Sequence, residues 1–393
     1  MDFSDSPGEA AFRAELRAWL AANLPGHRAR FPASDDELTL HPDAAFDSSL
    51  AWHTRLHAGG WVGLDWPCEY GGRGLGIMER MIFLEESIAA GAPPGVNVIG
   101  LGMVGPAVMR HGTPEQKRRW LAPILSADEI WCQGFSEPGA GSDLAALSTR
   151  AALDGDRFVV TGQKVWTSNA HRSHECILLV RTDPDAPRHQ GISCLLVDMA
   201  SPGITIRPLR QLTGDSEFNE VFFDAVRVPY PRLLGRLHGG WDVAMTILMY
   251  ERMALGSVGI LPPFLESLLG LARRTDGAGR DPVLRQRLAE VYTLGQALRL
   301  TNLRYVTRQL RGEPPGAEGS VIKLTLTETY RQMVETAAQL GGPYHQLWKG
   351  APGAPDGGRW AFQTLFALRW GIAGGTSEVQ RNIIGERLLG LPR

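Results

Sequence analysis

At 393 residues, with 44% hydrophobic and 21% charged side chains, the chain has the composition of a globular protein able to bury a large core. A formal charge of -2 excludes a general basic field for nucleic acid or an anionic membrane, while leaving room for a local cluster that binds a phosphorylated ligand. Four cysteines without CxxC spacing argue against a disulfide framework or a cysteine zinc site. The acidic start Met1-Asp2-Phe3-Ser4-Asp5 lacks the sections of a secretory signal, and no apolar run reaches the ~18 residues of a membrane span, so a reduced, cytoplasmic setting is expected.

Apolar residues at Phe12, Leu16, Trp19, Leu20 and Leu24 predict an amphipathic helix from Glu9 to Leu24, stopped by Pro25-Gly26. Similar periodicity predicts helices over 45–57, 78–89 and 113–125. Within the last, Gln116-Lys117-Arg118-Arg119-Trp120 reads as a solvated face. The glycines at 91, 95, 100, 102 and 105, with Pro93-Pro94, admit two readings: a widened pocket or a broken, loosely packed helix. From 130 to 228 the texture turns to short β-rich runs, 157–161, 177–181, 192–197 and 220–226, punctuated by Gly, Pro and Asp. Helical periodicity returns over 241–273, 282–311 and 320–340, with Gly312–Gly316 as a linker and Gly350–Gly358 as a longer loop that reads either as the mouth of a site or, preferred here, as plain surface. His53 and His57, and the group His171, His174 and Cys176, lack a metal-site pattern and read as packing or surface residues; no metal is expected.

Two runs carry chemistry. Phe135-Ser136-Glu137-Pro138-Gly139-Ala140-Gly141-Ser142-Asp143 sets small turn-forming residues beside hydroxyls, so that backbone N–H groups can approach a diphosphate. A plain surface turn is the competing reading. Lys164-Val165-Trp166-Thr167-Ser168-Asn169 places an indole beside two hydroxyls, suited to covering a flat ring and bonding its edge. No GxGxxG follows a strand, which argues against a Rossmann dinucleotide site.

With Cys132–Asp143, Gly162–Asn169 and Gly374-Gly375-Thr376-Ser377-Glu378-Val379-Gln380-Arg381-Asn382 in order, the chain resembles the acyl-CoA dehydrogenase family over nearly its whole length. The resemblance implies an α+β fold: an N-terminal α-helical domain (1–126), a middle β-barrel or sandwich domain (127–234) and a C-terminal four-helix-bundle domain (235–393). It implies FAD, with Phe135, Ser136, Gly141, Ser142, Trp166, Thr167, Ser168, Arg273, Gln339, Gly341, Gly342, Thr376 and Glu378 near the cofactor. For the substrate it implies Ser142, Tyr250, Arg252, Gly375 and Arg381.

The implied reaction removes the α-proton of an acyl-CoA thioester and passes the β-hydride to flavin N5, with electrons going on to an electron-transfer flavoprotein. In many family members the base precedes the C-terminal Gly-Thr; here that residue is Gly374, which has no carboxylate but still offers a backbone N–H to the thioester oxygen. The family's second location for the base corresponds to Glu251, in Met249-Tyr250-Glu251-Arg252-Met253; a structural Glu–Arg pair is the competing reading.

Arg273-Arg274-Thr275-Asp276-Gly277 departs from the family pattern for reaching a neighbour's flavin. The Gln339-Gly341-Gly342 segment also departs in register. Both features resemble actinobacterial dehydrogenases of steroid breakdown, some of which pair two different chains. A homotetramer or an α2β2 assembly with a second such chain is therefore implied, with a bulky or steroid side-chain acyl-CoA among the candidate substrates. Alternatives are a same-fold flavoenzyme using a carrier-protein thioester or oxygen, and a subunit that supports a catalytic partner.

Overall fold

Ser6 opens the first helix: its hydroxyl accepts from the Glu9 N–H at 3.3 Å, the Glu9 carboxylate accepts from the Ser6 N–H at 2.6 Å, and Pro7 fits the first turn. The computed structural model describes residues 4–32, 42–255, 261–275, 280–313 and 316–392, with backbone alone at 42 and 252–255. In chain order the helices before the sheet are α1 (Pro7–Arg30), α2 (Pro42–Ala58), α3 (Ile77–Ala89), α4 (Gly105–His111) and α5 (Pro114–Ser126). The strands are β1 (Trp131–Gly134), β2 (Arg150–Asp154), β3 (Arg157–Ser168), β4 (Glu175–Arg181), β5 (Ile192–Asp198), β6 (Ile204–Leu209), β7 (Phe218–Pro229) and β8 (Leu233–Leu234). Then follow α6 (Gly240–Leu255), α7 (Leu261–Arg274), α8 (Pro282–Leu310), α9 (Glu318–Gly341), α10 (Arg359–Ala367) and α11 (Ser377–Ile383). Helices, then sheet, then helices is the expected order.

Two compact units emerge. One holds Met1–Ser48, Leu75–Pro94 and Arg252–Arg393; the other holds Ser49–Gly74 and Gly95–Glu251.

In the first unit, α1 does not stop at Pro25 as the breaker residues predict. It continues to Arg30, because the buried stripe Leu16, Leu20, Leu24 and His27 carries on past the proline, and His27 Nε2 bonds Ser48 Oγ at 3.1 Å. Glu86 of α3 is nearly buried and accepts from Arg13 and Arg17 at 2.7 to 2.9 Å, which holds its carboxyl below the usual range; the Arg17 bond is the largest cause. Of the predicted helix over 241–273, α6 and α7 are described as helical, and residues 256–260 between them lie outside the described residues. Leucines 261, 265, 268 and 271 of α7 share one core with Val291 and Leu298 of α8, Ile322, Leu326 and Met333 of α9, and Trp360 of α10.

The second unit is built on an eight-stranded sheet ordered β6-β7-β3-β2-β4-β5-β8, with β1 paired parallel to β4. Residues 176–180 of β4 and 192–197 of β5 are wholly buried, as expected for strands covered on both faces, whereas β6 at the edge stays part-exposed. Phe158, Val160, Leu178, Leu195, Val221 and Phe223 form its core, each contributing about 1.5–3 kcal/mol by leaving water.

The run 116–120 is not a uniformly solvated face. Gln116 is buried and donates to the carbonyls of Pro231 (2.9 Å) and Leu233 (2.8 Å), and Trp120 one turn on is buried too. The glycine run also differs from the widened-pocket reading. A Cβ on Gly100 would lie 2.3 Å from Asn97 Oδ1, and one on Gly105 would lie 2.1 Å from the Trp66 ring, so close packing demands both. Only at Gly102, of these three, would a Cβ meet nothing within 4 Å. His53 is buried against the Leu125 carbonyl at 2.8 Å, and His174 Nδ1 accepts the Ile130 N–H at 3.1 Å. Among the described residues no helix is long and apolar enough to cross a membrane, and no group of three His, Cys, Asp or Glu could hold a metal ion.

Candidate functional site

The two signature runs meet in the sheet unit. Beyond β1 the chain reverses at Glu137–Ala140, where each residue's N–H donates to the other's carbonyl at 2.9 and 3.0 Å. Val165 N–H of β3 donates to Ser136 O at 2.9 Å, joining the runs directly. A Cβ on Gly139 or Gly141 would touch nothing within 4 Å, so the chain's own packing does not require glycine there. Gly141 and Ser142 are exposed, Ser136 is half-buried and Phe135 is buried.

The far end of β3 is irregular. Its register with β7 breaks between Lys164 and Thr167, and in that break Trp166 adopts φ +59°, a left-handed backbone that costs a bulky residue energy. The distortion turns the indole outward: Trp166 is 60% exposed, edge-on to Phe218 at 6.1 Å. Thr167 is buried, its hydroxyl without a hydrogen-bond partner among the described residues, and Ser168 is half-buried.

Beneath this surface lies a buried ion pair that the sequence analysis did not assign. Lys164 is fully buried, and its ammonium donates to Glu137 Oε1 at 2.8 Å and to Phe135 O at 3.0 Å. Glu137 also accepts from Ser148 N–H, Ser148 Oγ and Thr149 N–H at 2.7 to 2.9 Å. Burial pushes the Glu137 carboxyl up, but the Lys164 charge and these donors outweigh it and hold it at about 2. Burial brings the Lys164 ammonium down to about 8 against the pull of Glu137. The pair thus ties one run to the other from below.

Asn219 of β7 is a second brace missed in the sequence. Wholly buried, it donates from Nδ2 to Thr167 O (2.9 Å) and Glu217 O (3.1 Å), while its Oδ1 meets His171 Nδ1 at 3.1 Å. It pins the strand immediately after the strained tryptophan. Asn219→Ala is expected to cost about 1–3 kcal/mol through the orphaned carbonyls. The check is the thermal midpoint, and one unchanged from wild type would count against this bracing role.

In the other unit, Gly374 and Gly375 take φ +66° and +91°, and Thr376 caps α11 by accepting the Val379 N–H at 3.2 Å. A side chain at 374 would sit in left-handed backbone at a cost of roughly 1–2 kcal/mol. Glu378 is exposed in the first turn of α11, where its own N–H and the Thr376 hydroxyl hold its carboxyl below the usual range. Exposed Arg381 lies 3.6 Å from Glu378 and 3.5 Å from Glu328. Gln339 and Gly342 are exposed near the end of α9, Gly341 is half-buried, and Arg273 is exposed in the last turn of α7. The Arg252 side chain and residues 276 and 277 lie outside the described residues.

Tyr250 and Glu251 belong to the sheet unit, both half-buried on α6. Ala244, Ile247 and Glu251 fall on one helical stripe whose first two members are buried, whereas Asp242 and Met245 face solvent. The carboxylate therefore continues an apolar face.

Family models match in three consecutive pieces: the acyl-CoA dehydrogenase N-terminal domain over residues 6–128, the middle domain over 132–226 and the C-terminal domain over 238–389. The chain belongs to the acyl-CoA dehydrogenase family. Acyl-CoA dehydrogenase IpdE1 of Mycobacterium tuberculosis is 44% identical over 389 residues, covering 97% of each chain. The human mitochondrial short-chain specific acyl-CoA dehydrogenase is 31% identical over 341 residues, 84% of this chain and 80% of that one. Among solved structures, the Tcur3481-Tcur3483 steroid acyl-CoA dehydrogenase and the ChsE4-ChsE5 complex from Mycobacterium tuberculosis each match at 33% identity and TM-score 0.86, covering 100% of both chains. The acyl-CoA dehydrogenase architecture of helical, β and helical domains is thus present here. Family membership implies a flavin, and the chain's residues fit one: an open glycine turn, an outward indole held in strained backbone, and hydroxyls beside both.

Proposed function

We propose that the chain is an FAD-dependent acyl-CoA α,β-dehydrogenase in which Glu251 takes the α-proton. The observation that carries this reading is half-buried Glu251 on α6, in helical register with buried Ala244 and Ile247, in a chain whose residue 374 is glycine. Phe135, Ser136, Gly141 and Ser142 would hold the pyrophosphate side of FAD, and Trp166, Thr167 and Ser168 the ring side. Arg273, Gln339, Gly341, Gly342, Thr376 and Glu378 complete the set by family resemblance. When bound, FAD supplies the two-electron acceptor for the hydride leaving the β-carbon.

The protein's own part is placement and proton transfer. Glu251 Oε accepts the α-proton as the α,β double bond forms. The Gly374 N–H would bond the thioester oxygen, stabilising the negative charge that develops there. Ser142, Tyr250, Arg252, Gly375 and Arg381 are assigned to holding the CoA ester. Likeness to a steroid acyl-CoA dehydrogenase favours a bulky, steroid-derived acyl group. Likeness to the ChsE4-ChsE5 complex favours assembly with a second chain of the family, and an electron-transfer flavoprotein would take the electrons onward.

The test is anaerobic bleaching of the flavin absorbance in the protein as isolated, with linear, branched and steroid side-chain acyl-CoAs side by side. Fast bleaching by the steroid class, at least tenfold above the linear esters, is expected. Flavin that stays oxidised with every CoA ester would overturn the reading and favour a carrier-protein thioester or a supporting subunit.

A further inference from the structure

Lys323 lies on the buried face of α9 and is 2% exposed, beside Ile322 and Leu326. A methionine would fill that position without the cost of burying an ammonium. The charge instead goes to the main chain of one turn. Lys323 Nζ donates to Trp370 O at 2.8 Å and to Gly375 O at 2.9 Å, so a single atom ties both ends of the segment 370–375. Thr327, one turn along α9, adds a bond from Oγ1 to Trp370 O at 3.1 Å. Gln380, 1% exposed, donates from Nε2 to Gly374 O at 2.9 Å and to Gly375 O at 3.3 Å. A Cβ on Gly375 would lie 2.6 Å from that amide nitrogen, so the grip is close enough to require glycine.

The geometry points to Lys323 as a positioning residue for the reaction proposed above, fixing the turn that presents the Gly374 N–H and placing a full positive charge behind it. The inference rests on the assignment of Gly374 as the donor to the thioester oxygen. Gly374 and Gly375 both occupy left-handed backbone, which glycine leaves easily when nothing holds it. With the carbonyls of 370, 374 and 375 gripped and the Ala373 N–H bonded to Arg369 O at 2.9 Å, the backbone on both sides of the Gly374 N–H is held before substrate arrives, which limits its reorganisation during the reaction. The ammonium also adds positive potential where negative charge builds on the thioester oxygen, an effect that a neutral hydrogen-bonding residue would not supply.

The test uses Lys323→Met, which keeps the stem and removes charge and donors, beside Lys323→Arg, which keeps both. Two readouts are taken on flavin-loaded protein: the limiting rate of anaerobic bleaching by acyl-CoA, and the red shift of a bound aryl-conjugated enoyl-CoA, whose absorption reports polarisation of its carbonyl. Lys323→Met is expected to bleach about 10- to 100-fold more slowly. Its half-saturating thioester concentration should stay within about threefold, and the enoyl-CoA shift should fall by half or more. Lys323→Arg should recover part of both. A purely structural role would lower flavin content and thermal midpoint together while loaded protein kept the normal rate and shift; that result overturns the inference. If neither variant loads flavin, the chromophore is bound to flavin-free wild type and variants, where an equal shift in all overturns it equally. A wild type that holds flavin but bleaches with no thioester would fail the parent reading instead, and is told apart because it fails before any substitution is made.

Discussion

Glu251→Gln is expected to slow anaerobic flavin bleaching by about 10²–10⁴-fold, the usual contribution of a positioned general base. Flavin content and thermal midpoint should stay near wild type. Glutamine matches glutamate in size and keeps the α6 stripe of Ala244 and Ile247 intact, so packing should not change. The amide cannot accept the α-proton at any working pH, so the loss should persist across the pH range. Half-saturation should change far less than rate, since the group acts on proton transfer rather than on holding the ester. Full turnover in the glutamine variant would show that Glu251 only pairs within its helix interface and that the base lies elsewhere.

The largest effect on stability is expected at the buried pair under the signature runs. Glu137→Gln should cost about 3–5 kcal/mol, lowering the thermal midpoint by on the order of 10 °C, because it leaves the Lys164 ammonium buried without its counter-charge. It also turns an amide N–H₂ toward the Ser148 and Thr149 donors. Lys164→Met should cost less, because Glu137 keeps three donors and methionine suits a fully buried site. The order of the two variants is the check: a methionine variant at least as unstable as the glutamine variant would contradict the argument.

The same pair fixes the sign of an acid limb. Glu137 titrates at about 2 when folded, below the 4.5 of a free glutamate, so between these values the folded state binds fewer protons than the unfolded chain. Its contribution of about 3 kcal/mol is therefore present above pH ~4.5 and lost progressively toward pH ~2. Denaturant midpoints measured from pH 6 down to pH 3 should fall in the wild type, and fall less in Glu137→Gln.

Features confined to neighbouring residues were legible in the sequence. The turn at Glu137–Ala140 and the left-handed Gly374-Gly375 pair before the Thr376 cap are local backbone shapes. The alternation of helical and β texture followed from apolar periodicity, whose spacing is a local property. Local signals failed where distant packing outweighed them. Pro25 did not end α1, because the buried leucine stripe continues to His27; Gly100 and Gly105 close on Asn97 and Trp66 instead of opening a pocket.

Tertiary structure alone decided what braces each of these runs. Lys164 finds Glu137 from 27 positions away, Asn219 finds the Thr167 carbonyl from 52, and Lys323 finds the Gly375 carbonyl from 52. Each is a polar group whose burial is tolerable only once the fold has placed its partner, and a linear sequence carries no mark of that pairing.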